Sequence, residues 1–118
     1  MQVGRQTIVF AATAVLLLTA NGAQAASFDC ARARSADEIA ICHDRELGDL
    51  DVRMATLFDV VTGLVAMGER GELRDEQHDW LAQRHQCRAD VRCLRHSYRR
   101  RIAALRRVLD DLRSRGPY

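Results

Sequence analysis

The chain has 118 residues, 47% apolar and 29% charged, with a formal net charge of +2, one proline and no lysine. That length suits one small domain and not two, and a pI near 8.5 is too mild to mark a nucleic-acid binder. No internal repeat, low-complexity tract or strand-like alternation runs through it, so the helical period dominates.

At the N-terminus Arg5 precedes an apolar run from Ile8 to Ala20, which is shorter than a comfortable bilayer span. Ala23-Gln24-Ala25 then matches the small-x-small cleavage pattern. The expectation is a cleaved signal peptide over 1–25 and a mature single domain over 26–118, periplasmic or secreted. Cys30 follows Ser-Phe-Asp, which is no lipidation context, so no stable membrane anchor is expected.

Ser35 and Glu38 form a capping-box pattern that predicts a short helix from Ala36 to about Cys42. Asp44 can cap a second, longer helix, in which Leu47, Leu50, Met54, Leu57, Val61 and Leu64 make one stripe, widened by Phe58 and Val65. Gly68 and Gly71 are expected to end that helix and turn the chain. A third helix is predicted from about Glu72 to Gln86, with Leu73, Gln77, Trp80, Leu81 and Arg84 on one face. The segment CRADVRC turns the chain again. The fourth helix carries Val91, Leu94, Tyr98, Ile102, Leu105, Leu109 and Leu112 and should end before Gly116. The fold class is all-α, a small antiparallel helical bundle of one short and three longer helices. Leu50, Leu57, Trp80, Leu81, Leu94, Tyr98 and Ile102 are its expected core.

All four cysteines, Cys30, Cys42, Cys87 and Cys93, lie beyond the expected cleavage point. An even count in a small exported chain favours disulfides. Local pairing, Cys30 with Cys42 and Cys87 with Cys93, is favoured over the two crossed pairings because each pair brackets a short turn. Zinc could recruit His43, His78, His85 or His96, but the paired spacings of zinc motifs are missing, as is the C-x-x-C of a redox pair. No metal or cofactor is expected.

Charge is unevenly divided. From Ala26 to Gln83 thirteen acids face six arginines, whereas Arg84 to Tyr118 holds eleven arginines and three acids. The two halves can neutralise each other by packing, or one can present a charged face to a partner. Asp75, Glu76 and Asp79 read as a solvated helix start, His78 and His85 lack a nucleophile, and Ser97 lacks an elbow context. An enzyme is therefore not expected. The series Arg88, Arg92, Arg95, Arg99, Arg100, Arg101, Arg106 and Arg107 suits anionic glycans, phospholipid head groups or the chain's own acids better than nucleic acid, which an exported protein rarely meets.

Phe28-Asp29-Cys30, Ile41-Cys42 and Asp44-x-Glu46-Leu47 leading to Leu50-Asp51 are followed in order by Gln77-x-x-Trp80-Leu81-x-x-Arg84, Cys87, Cys93-Leu94, Tyr98 and Arg101-Ile102. These ordered blocks resemble the LprI-type lysozyme inhibitor family, small exported helical domains of bacterial envelopes. The family often has arginine and aspartate where this chain has His78 and His85, which removes an expected ion pair. The resemblance implies a non-catalytic protein that binds and inhibits lysozyme. Animal c-type lysozymes are strongly basic, so the expected partner surface is acidic: Asp37, Glu38, Asp44, Glu46, Asp49 and Asp51. The alternative is an envelope interaction module that binds an anionic glycan or another envelope protein through its arginine-rich helix.

Overall fold

A computed structural model describes residues 26–116, so the expected signal peptide and the last two residues lie outside the described part. A single 3-10 turn at Cys30–Arg32 leads into four α-helices: α1 (Ala36–His43), α2 (Arg45–Leu64), α3 (Met67–Gln86) and α4 (Val91–Ser114). The fold is all-α, as the periodicity predicts. Successive long helices run antiparallel, which leaves α2 and α4 as parallel neighbours with the most extensive contact in the molecule.

Local chemistry sets most of the helix ends. Glu38 reaches back to accept the backbone N–H groups of Arg34 and Ser35 at 3.0 and 3.3 Å, closing the predicted capping box. Asp44 alone joins α1 to α2, and its carboxylate accepts from the N–H of Leu47 at 2.9 Å. Asp90 caps α4 in the same way through the N–H of Cys93. Both caps satisfy donors that the first helical turn leaves open.

The α2–α3 corner corrects the sequence reading. Gly68 and Gly71 lie inside α3, and the chain turns instead at Val65 and Ala66, two residues in extended backbone conformation. Arg70 folds back and donates to the carbonyl of Val65 at 3.2 Å, so a guanidinium does what a glycine turn was expected to do. Each glycine in the helix costs about 1 kcal/mol relative to alanine. Glycine is thus a weaker stop signal at a helix start than at its end.

The α4 stripe packs as predicted, with Leu94, Tyr98, Ile102, Leu105 and Leu112 buried against Leu47, Met54 and Val61 of α2. Trp80 and Leu73 of α3 are buried with them, and Leu50 and Leu57 are half-buried at the edge of the core. Leu81 and Leu64 were expected inside but are 38% and 50% exposed. The inward row of α3 is the narrow one made by Leu73, Gln77, Trp80 and Arg84, and Leu81 stands about 100° round the helix from Trp80. Leu64 is left outside because α2 ends there and Val65 takes the last core position.

Both local disulfides are present. The Cys30–Cys42 and Cys87–Cys93 sulfurs lie 2.09 and 2.00 Å apart. The first fastens the lead-in to the end of α1, and the second closes the turn between α3 and α4.

Candidate functional site

The innermost polar group of the molecule joins four residues from four helices. Arg84 of α3 donates from Nε to Asp37 Oδ2 of α1 at 3.1 Å, and its terminal nitrogen also pairs with that oxygen. Its other terminal nitrogen donates to the Tyr98 hydroxyl of α4 at 3.2 Å. Tyr98 in turn donates to Asp51 Oδ1 of α2 at 2.8 Å, and the backbone N–H of Ser27 donates to Asp51 Oδ2 at 2.6 Å. Trp80 lies beside the group, edge-on to Tyr98 with centroids 5.2 Å apart and with the Arg84 guanidinium 5.7 Å above its ring. Its indole N–H donates to the Ser97 carbonyl.

This group overturns part of the acidic partner surface. Asp37 and Asp51 are each 1% exposed, so neither can face a partner. Burying an isolated carboxylate is prohibitive, and these two are accommodated because a buried guanidinium lies between them. Asp44 and Glu46 are taken up as well: Arg95 pairs with both, at 3.5 and 3.0 Å, and Arg99 pairs with Glu46 at 2.9 Å. Glu38 is committed to its cap. Of the six expected partner-surface acids, only Asp49 is exposed with no hydrogen bond or ion pair among the described residues.

Burial by itself raises an aspartate's pKa, but hydrogen bonds from Ser35 and His85 and the charge of Arg84 outweigh it and hold Asp37 below its ordinary value. The sign of the linkage follows. The stability this carboxylate contributes is present above the unfolded aspartate value of about 3.9 and is lost as pH falls through the lower folded value. Thermal unfolding of Asp37→Asn should therefore vary less steeply with pH below about 4 than that of the wild type. Equal slopes would show that Asp37 contributes nothing to acid unfolding. Tyr98 shifts the other way. Burial foremost pushes its phenol far above the ordinary value, with Arg84 opposing and Asp51 adding.

His85 occupies a position where the sequence reading expected an ion pair to be lost. Its Nδ1 lies 3.1 Å from Asp37 Oδ1, while the ring is largely exposed. A second buried guanidinium, Arg101, is 6% exposed and bonds Gln77 at 2.9 Å, Glu76 at 3.1 Å and the Leu73 carbonyl at 3.4 Å. Sequence reasoning put Arg84 on the same face of α3 as Leu73 and Trp80 without assigning it a partner, and it read Arg101 as one of a series of charged-face arginines. Their signal was their place in apolar rows. No group of three or more His, Cys, Asp or Glu residues among the described part could hold a metal ion.

Two grooves flank α4. One of about 510 Å3 lies between α3 and α4, walled by Arg100 and Arg107 on one side and Glu76 and Asp79 on the other. The second, of about 670 Å3, lies between α2 and α4 and is lined by Asp49, Arg53, Arg106 and Asp110 among others. Family models, curated proteins and solved structures offer no match to this chain.

Proposed function

We propose that the chain is an exported, non-catalytic domain of the LprI type that binds and inhibits lysozyme. One observation carries the reading: the sequence blocks that resemble the family meet in space. Asp51, Arg84 and Tyr98 share one hydrogen-bonded group, Gln77 and Arg101 form a second contact, and the four cysteines pair at its margins. Residues that far apart in sequence serve one architecture, which is what a family pattern encodes. The disulfides suit an oxidising compartment and so support export. Because the blocks are core residues, they speak for the fold more than for the contact surface.

The test is a turbidity assay of bacterial wall lysis with the purified mature protein and c-type, g-type and i-type lysozymes in turn. Dose-dependent slowing of lysis by the c-type enzyme is expected. Asp49→Arg should weaken that inhibition at low salt and less so at high salt, since screening removes long-range steering. Unslowed lysis by all three enzymes would overturn the reading.

A further inference from the structure

The fold leaves part of its positive charge unused. Arg95, Arg99 and Arg101 are paired to α2 and α3 as described. Arg92, Arg100, Arg106 and Arg107 are exposed and have no ion pair among the described residues. With the paired Arg99 between Arg92 and Arg106, they lie in two rows on the outer half of α4, Arg92–Arg99–Arg106 and Arg100–Arg107. Seven residues separate successive members, which is about 10 Å along a helix. Charges strung along a line suit an extended partner, where a small anion would need them to converge.

We infer that this face of α4 and the groove it shares with α3 bind a carboxylated polysaccharide. Three observations favour that chemistry over other polyanions. Glu76, Asp79, Asp49 and Asp110 line the flanking grooves. They would repel the dense charge of a nucleic acid backbone but can accept hydrogen bonds from sugar hydroxyls. The aromatic platform that a single strand would stack on is missing, since Tyr98 is buried and Trp80, although it lines the groove, is only 7% exposed. A membrane-binding helix carries bulky apolar residues beside its charges, and the exposed residues between these arginines are Cys93, His96 and Ala103. What remains is a polymer with sparse negative charge and many hydroxyls. The spacing of the arginine rows is close to a disaccharide repeat.

The inference is independent of lysozyme inhibition, and its test contains no lysozyme. Titration calorimetry at low salt should show the mature protein binding hyaluronan, which carries one carboxylate per disaccharide, with affinity falling as salt rises, and should show no binding to neutral dextran. Arg100→Ala/Arg107→Ala should lose about ten-fold in affinity, whereas Arg74→Ala, on the outer side of α3, should bind like the wild type. Unchanged far-UV ellipticity of the double variant would tie its loss to the face. The inference fails if hyaluronan does not bind, if dextran binds equally, or if the double variant keeps full affinity. Tighter binding to duplex DNA or to phosphatidylglycerol vesicles than to hyaluronan would also overturn it.

Discussion

Replacing Arg84 with methionine is expected to destabilise the fold by about 3–5 kcal/mol, the range for breaking a buried charge pair by removing one partner. Methionine fills similar space, so packing changes little, but the two carboxylates lose the cation between them. Asp51 keeps donors from Tyr98 and Ser27, whereas Asp37 keeps Ser35 and the solvent-facing His85. Most of the penalty should therefore arise at Asp37. Adding Asp37→Asn to Arg84→Met should cost much less than the two single effects summed, because the uncompensated charge is gone. Arg84→Lys should fall between wild type and methionine, keeping the charge but losing the planar fork that reaches Asp37 and Tyr98 together. Urea unfolding followed by ellipticity measures the wild type and the four variants, Asp37→Asn alone included. A loss below about 1 kcal/mol for Arg84→Met would show that the network is not a net support of the fold.

The same network separates what the sequence could reveal from what it could not. The α4 stripe is legible because every third or fourth residue from Val91 to Leu112 is apolar and the helix is long enough to average out exceptions. The disulfides are legible because short spacing and an even count leave one simple pairing. Asp51 and Arg101 hide behind the usual rule that charges face water, and Arg84, which the period puts on the inward face of α3 with Leu73, Gln77 and Trp80, carries no local sign of its partners. The signal against that rule at Arg101 is its place three residues after the buried Tyr98 and four before the buried Leu105. Asp37 gives no such signal, since an eight-residue helix is too short to define a face. Its partner lies 47 residues away, and no local pattern encodes that distance. The acidic partner surface was misjudged for the same reason. Counting acids in one half of the chain measures how much charge must be neutralised, and Arg84 of α3 neutralises part of it in the core while Arg95 and Arg99 of α4 neutralise part at the surface.

Loss of the Cys30–Cys42 disulfide should reach further than its loop length suggests. The two cysteines are 12 residues apart, and Cys87 and Cys93 are 6 apart. Chain entropy alone predicts stabilisation of about 3 kcal/mol for the first and about 2.5 kcal/mol for the second. They differ in what they hold. Cys87–Cys93 closes a turn whose ends already belong to packed, hydrogen-bonded helices. Cys30–Cys42 holds the lead-in, which delivers the Ser27 N–H to Asp51 and lays Phe28 against the core. Without it the lead-in can leave, and Asp51 loses one of its donors inside the molecule. Cys30→Ala/Cys42→Ala should therefore be less stable than Cys87→Ala/Cys93→Ala by at least about 1 kcal/mol, the added cost of a buried acceptor left short of a donor. Adding Asp51→Asn should shrink that gap, because a neutral amide needs the Ser27 donor less than a carboxylate does. Hydrogen exchange supplies an independent reading: the Ser27 amide should be protected in the wild type and in Cys87→Ala/Cys93→Ala, and exposed in Cys30→Ala/Cys42→Ala. Equal stabilities for the two disulfide variants, with Ser27 protected in both, would mean that the lead-in is held by packing alone.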